Sequence, residues 1–244
     1  MSRRLFIIFS LLIIPAFAAC SPQGTDSSPN ATTPEPALNG AAESTPPREK
    51  YSREIGDSNG LIVLSESYGE NDTVRIYNKG GAVWYEFSYY DEAAFDELES
   101  INTDFRPFSF HPDYLVLAMR VVGEDSALYE VVVNEESDLR KFVRKNDPVL
   151  KYEEFGEHLK TVYAIDFDTQ KNPVLSQPDG EPVMIEYSKV RIFKPEEADG
   201  DWVKISWQLA EASAGNAESI AMQNEGWIRW KDGSKMIVEI YYVA

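Results

Sequence analysis

Residues 51–244 contain many short runs of aromatic and β-branched residues separated by turn sequences, and this pattern restricts the chain to a mainly β fold. Leu61–Leu64 is one such run. Asn78–Gly81, with its Gly-Gly pair, separates two further runs as a hairpin turn does, and Gly123–Ser126 separates another two. Roughly 195 residues are enough for one large domain or two small ones.

We predict that residues 51–152 form a small α+β sheet domain, in which the two hairpins supply most of the strands. The run 114–122 is apolar on both faces, so we expect it to lie inside the sheet. Asp91 can cap one short helix. Four apolar residues recur at helical spacing on that helix: Ala94, Phe95, Leu98 and Ile101.

The second half, residues 153–244, is predicted to begin with a linking helix over Glu153–Val162. Phe155, Leu159 and Val162 fall on one face of that helix. We expect His158, on the same helix, to be an exposed surface residue.

Four later segments combine turn residues with tryptophan-containing or β-branched strands: Asn172–Pro178, Lys189–Phe193, Gly200–Trp207 and Glu225–Trp230. In order and chemistry they resemble the bacterial SH3-like domain, which has an early Pro-containing turn, a Gly-x-Trp-x-Lys-Val type of strand and a Gly-Trp-Val/Ile strand. The resemblance covers roughly a third of the chain and implies a C-terminal SH3-like β-barrel. The family's early Asn-Val-Arg signature is missing from 173–176, and Gln208–Glu225 is longer than the usual connection, so the barrel would be elaborated.

The alternation of side chains along a strand divides the tryptophans between two faces. Val203, Ile205 and Trp207 share one face, as do Ile228 and Trp230, and we assign these faces to the core. The opposite faces carry four candidate ligand-binding residues: Trp202, Lys204, Trp227 and Arg229. The resemblance implies that such an aromatic groove can bind extended peptides, and bacterial members are associated with cell-wall peptides. Alternatively, both tryptophans cover the barrel end or the neighbouring domain.

The N-terminus has the pattern of an export signal over residues 1–19. Arg3 and Arg4 precede the apolar stretch Leu5–Ala19, which is shorter than the roughly 20 residues of a membrane-spanning helix. The end of this stretch, Phe17-Ala18-Ala19-Cys20, resembles the lipobox of bacterial lipoproteins. The resemblance implies that Cys20 is acylated with chains such as palmitate and becomes the mature N-terminus. Ser21 after the cysteine implies the outer membrane. The alternative is an ordinary secreted protein.

Residues 20–50 are predicted to be a disordered tether. The segment is rich in Pro, Ser, Thr and Ala and has almost no large apolar side chains, so it cannot bury enough surface to offset its ordering entropy. Six of its residues are proline: Pro22, Pro29, Pro34, Pro36, Pro46 and Pro47.

The charge of the chain excludes several classes of partner. The formal net charge is −18, and it becomes −20 once Arg3 and Arg4 are removed with the signal. Nucleic-acid binding requires a positive footprint, and the sequence has no dense Lys/Arg cluster. The same acidity opposes docking onto anionic lipid head groups, so membrane attachment would rest on the acyl group alone.

The sequence contains no recognisable catalytic, metal or cofactor motif. With two histidines and no cysteine other than Cys20, the usual zinc ligand sets cannot be assembled, and we expect no cofactor. His111 and Asp113 are the most enzyme-like pair, but Pro112 between them restricts the geometry, and we expect this loop to pack Phe108, Phe110 and Tyr114 beneath the sheet.

These observations predict a non-catalytic cell-envelope lipoprotein with an SH3-like binding module. Its ligand would be a peptide, a peptidoglycan fragment or a partner protein, and its location the outer membrane, facing the periplasm or the surface. The alternative is an envelope hydrolase that uses a pair of carboxylates, or His111 with Asp113.

Overall fold

The computed structural model of the protein describes residues 50–90, 102–209 and 224–243. The predicted signal segment, Cys20 and the predicted tether up to residue 49 lie outside the described residues. So does the helix predicted over 91–101.

The described chain is mainly β, which confirms that part of the prediction, and its paired strands run antiparallel in three sheets. The strands are β1 (Arg53–Glu54), β2 (Gly60–Leu64), β3 (Val74–Tyr77), β4 (Val83–Phe87), β5 (Ser109–His111), β6 (Val116–Glu124), β7 (Leu128–Asn134), β8 (Leu139–Arg144), β9 (Leu150–Glu154), β10 (Ala164–Phe167), β11 (Val190–Asp199), β12 (Trp202–Leu209), β13 (Asn224–Arg229), β14 (Lys231–Asp232), β15 (Lys235–Met236) and β16 (Val238–Tyr241). The helices are α1 (Phe155–Leu159) and two short 3-10 helices, Pro112–Tyr114 and Tyr187–Lys189.

The largest sheet has the strand order β4-β3-β8-β7-β6-β2-β9, with β5 paired beside β6. Both predicted hairpins are confirmed, as β3–β4 and β6–β7. In the first, the Asn78 N–H donates to the Ala82 carbonyl at 2.8 Å, and Gly81 adopts the left-handed φ of 84° that this turn requires. The apolar strand β6 lies inside the sheet as predicted, because buried residues such as Met119 face a core of β-branched and aromatic side chains.

The second sheet has the order β13-β12-β11-β10-β16. A small third sheet, β1-β15-β14, pairs Arg53 with Met236 and so joins the start of the described chain to its end. Within the described residues none of these sheets closes into a barrel: β13 and β16 are the two ends of the five-stranded sheet.

The linking helix is shorter than predicted. Glu153 and Glu154 belong to β9, where they pair with Leu61 and Gly60, so α1 begins only at Phe155. Strand pairing with β2 therefore outweighs the local helical periodicity at Glu153 and Glu154.

The helix α1 lies in a core shared by residues from both sides of position 152. The ring of Phe155 is 5.6 Å from that of Phe108, on the N-terminal side, and 5.7 Å from that of Trp230, on the C-terminal side. All three side chains are buried in one cluster, and the described residues form one compact unit. The division at 152/153 stays a prediction, but the two sheets do not have wholly separate cores.

The loop after β5 differs from its prediction at one residue. Phe108 is buried and Phe110 packs against the core, but Tyr114 is 59% exposed. The 3-10 helix Pro112–Tyr114 turns the chain, and the left-handed Leu115 (φ 54°) follows it, so the tyrosine points away from the sheet.

We expect Phe155→Ala to reduce the free energy of unfolding by about 3–5 kcal/mol, because it empties a fully enclosed site between two aromatic rings. Urea denaturation followed by far-UV circular dichroism measures this change. The matched control is Tyr163→Ala, which removes a tyrosine that is 42% exposed and should change the stability by about 0.5 kcal/mol or less. Equal effects of the two substitutions would contradict this role for Phe155.

Candidate functional site

The four candidate binding residues lie together on the face of β12 and β13 that points away from the core. Trp202 lies directly opposite Arg229, and Lys204 lies directly opposite Trp227. All four side chains are half-buried. The core assignment of the other face is confirmed, because five side chains there are buried: Val203, Ile205, Trp207, Ile228 and Trp230. We call the outward set of Trp202, Lys204, Trp227 and Arg229 the tryptophan face.

Each cation of the tryptophan face has partners within the protein. The guanidinium of Arg229 lies 4.8 Å from the ring centre of Trp202, and its Nη2 is 3.5 Å from the Asp179 carboxylate. The Nζ of Lys204 is 3.0 Å from Glu225. Because exposed ion pairs and cation–π contacts each contribute only about 1 kcal/mol or less, these cations can exchange their partners for a ligand.

The outer edge of β13, at one end of the five-stranded sheet, is covered by residues 172–175. Leu175 and Trp227 exchange two backbone hydrogen bonds of 2.7 Å. The Nδ2 of Asn172 donates to the Arg229 carbonyl at 2.7 Å, and the Arg229 N–H donates to the Oδ1 of Asn172 at 3.2 Å. These contacts cover the strand edge and fix the positions of both β13 side chains of the tryptophan face.

Gly226 allows this close approach. A Cβ at this position would lie 2.4 Å from the Val174 side chain and 2.9 Å from the Leu175 carbonyl oxygen. The Gly-Trp dipeptide therefore has a structural reason: the glycine admits the crossing segment, and the next residue turns its indole outward.

The structure does not join His111 to Asp113. Both side chains are exposed, at the end of β5 and in the 3-10 helix that follows, and within the described chain no hydrogen bond or ion pair connects them. The carboxylates of Asp166 and Asp168, which are two positions apart on the chain, also have separate partners. Asp166 accepts hydrogen bonds from Lys50 and Tyr51, while Asp168 accepts them from the backbone N–H groups of residues 170 and 171. A hydrolytic activity stays a prediction that rests on the residue types alone.

His158 was predicted to be exposed, and that prediction is wrong. Its side chain is buried at 5% exposure, because α1 turns the side chains of Phe155, His158 and Leu159 into the core between the sheets. The Nδ1 of His158 is 2.9 Å from the Glu153 carboxylate, and its Nε2 is 2.9 Å from the hydroxyl of Tyr242.

The polar groups around His158 form a continuous hydrogen-bonded series. The hydrogen bond to His158 lowers the pKa of the Glu153 carboxyl below its usual range, against the effect of burial, and Lys151 lowers it further. The Glu153 carboxylate can accept a hydrogen bond from Nδ1–H of His158, and in that tautomer Nε2 can accept a hydrogen bond from the Tyr242 hydroxyl. Burial raises the pKa of Tyr242, and a hydrogen bond with Ser109 acts in the opposite direction. We call Glu153, His158, Tyr242 and Ser109 the polar chain.

The polar chain could not be predicted from the sequence, because no local sequence pattern indicates that its residues are hydrogen-bonded to one another. Glu153 and His158 are five positions apart, which does not place them on one helical face, and Tyr242 is 84 positions further along. The one usable signal was the scarcity of histidine, of which the chain has two.

No protein-family model, curated protein or solved structure matches this chain. Across residues 50–90, 102–209 and 224–243, no helix is long and apolar enough to cross a membrane. In the same part of the chain no three His, Cys, Asp or Glu side chains lie together as metal ligands.

At neutral pH we expect Glu153→Gln to reduce the free energy of unfolding by about 1–3 kcal/mol, because His158 loses a charged hydrogen-bond partner in the core. A carboxyl whose pKa falls on folding stabilises the fold above the unfolded pKa of about 4.3, and this stabilisation disappears as the pH falls through the lower folded value. The difference between wild type and variant should therefore shrink between about pH 6 and pH 3. Urea denaturation at several pH values measures it.

The control for this substitution is Glu157→Gln, which alters a 61% exposed carboxylate on α1 that pairs with Lys160. Its effect should stay within about 0.5 kcal/mol at every pH. A difference between wild type and Glu153→Gln that grows as the pH falls would show that the carboxyl is not held ionised by His158.

Proposed function

We propose that this chain is a non-catalytic cell-envelope lipoprotein whose C-terminal part is an SH3-like module that binds a peptide, a cell-wall fragment or a partner protein. The observation that carries the proposal is the cross-strand pairing of Trp202 with Arg229 and of Lys204 with Trp227 on an outward, half-buried face. Two indoles beside two cations form a surface suited to recognition.

The order of strands in the five-stranded sheet supports an SH3-like module. A small barrel must bring its first and last strands together, and β10, the first strand of this half, pairs with both β11 and the last strand, β16. The ten-residue β11 has register shifts between Val190 and Ile192 and between Pro195 and Glu197, which let a long strand bend around a core. β13 and β16 do not pair, so the proposed module is an open, elaborated form of the barrel.

The chemistry of the tryptophan face supports a ligand that combines apolar or aromatic surface with charge. Indoles supply large contact areas at low entropy cost, and Lys204 and Arg229 can pair with carboxylates of a wall peptide or a partner once they leave Glu225 and Asp179. The acidic sequence has no dense Lys/Arg cluster that would favour nucleic acid, and the proposal involves no cofactor.

Attachment to the outer membrane is proposed from the sequence. Cys20 follows an apolar segment too short to span a bilayer, and acyl chains at that cysteine, at about 0.8 kcal/mol for each buried methylene, would hold the protein there. The proposed module would then face the periplasm or the cell surface.

We expect the protein to bind soluble peptidoglycan stem peptides or a protein from envelope extracts, and Trp202→Ala and Trp227→Ala each to weaken that binding at least about tenfold, as loss of a central aromatic anchor does. Fluorescence titration and pull-down measure this. The matched control is Trp84→Ala, which removes an indole with Lys141 5.2 Å from its ring centre in the other sheet. Absence of binding by the wild type, or equal losses in all three variants, would refute the binding surface.

Cys20→Ser should move the protein from the membrane fraction to the soluble fraction, because the thiol is the proposed site of acylation. The intact mass of the mature wild-type protein should exceed the polypeptide from residue 20 by the mass of several acyl groups. Ser21→Ala is the control and should leave the protein on the membrane. An unmodified wild-type protein in the soluble fraction would refute lipidation.

A further inference from the structure

A cleft of about 400 Å³ opens between β5 and β16, and none of its lining residues belongs to the tryptophan face. β5 pairs with β6, and β16 pairs with β10, so the cleft lies where the large sheet meets the five-stranded sheet. Its apolar lining comes from Phe108, Met236 and Val238, which are almost completely buried. A cavity of this volume is at the lower end of the range for small-molecule sites.

One wall of the cleft is fixed by the polar chain. Tyr242 and Ser109 both line the cleft, and behind them the Tyr242 hydroxyl is held by His158, itself held by Glu153, at 2.9 Å in each contact. Side chains whose positions are set by buried hydrogen bonds make a preformed site, since little rearrangement is needed when a ligand arrives.

Basic residues outnumber acidic ones on the lining of the cleft, whereas acidic residues outnumber basic ones in the whole chain. The chain has 41 acidic and 23 basic residues, whereas the cleft is lined by two basic residues, Lys50 and Arg53, and one acidic residue, Glu239, and His111 adds an imidazole that can donate a hydrogen bond. Lys50 already lies 3.0 Å from the Asp166 carboxylate and 3.8 Å from that of Glu239. Arg53 also has partners within the protein, so an anion that binds here would replace some of these contacts.

Arg53 is positioned with some rigidity. Its Nη1 donates to the Phe108 carbonyl at 3.1 Å, and its guanidinium carbon lies 4.2 Å from the centre of the Phe108 ring. Packing against an aromatic ring fixes the plane of the guanidinium, and a planar set of N–H donors matches the two oxygens of a carboxylate.

We propose that this cleft binds the carboxylate of a small apolar acid, with Arg53 and His111 at the carboxylate and Phe108, Met236 and Val238 around the hydrocarbon part. The same chemistry is offered by a free carboxylic acid and by the C-terminal residue of a peptide. Glu239 on the lining disfavours a more highly charged anion, because it would repel the second charge. This site shares no residue with the tryptophan face, so a binding test of the cleft does not depend on the function proposed above.

The methyl group of Met236 reports on the cleft directly. The mature full-length protein, labelled at the methionine methyl carbons, would be titrated with phenylacetate and with N-acetyl-glycyl-leucine while methyl spectra are recorded. We expect the Met236 signal to shift and saturate with a dissociation constant on the order of millimolar. The buried Met119 of the other core and the fully exposed Met184 should stay unchanged. Phenylacetamide and the amidated dipeptide should bind at least about tenfold more weakly, because they lack the charge that Arg53 recognises.

Two variants test the residues. Arg53→Gln should weaken phenylacetate binding at least about tenfold, and His111→Asn, a change at an exposed residue that leaves the core intact, about threefold. The matched control is Arg75→Gln, since Arg75 pairs with Glu86 in the large sheet and lies outside the cleft. Circular dichroism confirms that each variant is folded.

A response to phenylacetate alone would support a free acid as the ligand, and a response to the dipeptide as well would support a peptide C-terminus. The proposal is overturned if the Met236 signal does not move, if the amides bind as well as the acids, or if Arg53→Gln and His111→Asn have the same affinity as the wild type.

Discussion

The packing of Phe155 between Phe108 and Trp230 is the contact on which the arrangement of the sheets depends. These three rings come from α1, from the residue before β5 and from the residue after β13, and the ring centre of Phe155 lies 5.6 Å from that of Phe108 and 5.7 Å from that of Trp230. A single enclosed aromatic side chain therefore belongs to the cores of both the large sheet and the five-stranded sheet. With Cys20 as the only cysteine, no disulfide can replace this packing, so the shared core holds β12 and β13 in position and their outward residues with them.

The polar chain connects elements of both sheets at the same junction. Glu153 comes from β9, His158 from α1, Ser109 from β5 and Tyr242 from the residue after β16. A hydrogen-bonded series of this kind costs little when every member is satisfied, and among the described residues no buried side-chain nitrogen or oxygen lacks a partner. The proposed acid-binding cleft lies at one end of this series, which is why its wall is ordered before any ligand binds.

The sequence predicted what local chemistry decides. The Gly-Gly hairpin between β3 and β4 follows from turn residues, and the outward positions of Trp202 and Trp227 follow from the alternation of side chains along a strand. The sequence could not predict features that depend on distant residues. Glu153 and Glu154 joined β9 because β2 lies beside them, His158 became buried because both sheets close over α1, and β1 pairs with β15 although they lie at opposite ends of the described chain. Long-range packing also places His111 beside the cleft, where its ring centre lies 5.8 Å from that of Tyr242, whereas Asp113, two residues later, is exposed to solvent.

Native-state hydrogen exchange tests most directly whether one shared core stabilises both sheets. The amides of Val131 and Val132 in β7 and those of Val203 and Ile205 in β12 are buried in the large and the five-stranded sheet respectively. If Phe155 belongs to both cores, these four amides should exchange with opening free energies equal within about 1 kcal/mol, through one global unfolding event. Opening free energies that differ between the sheets by several kcal/mol would show that the sheets unfold independently and would contradict the account.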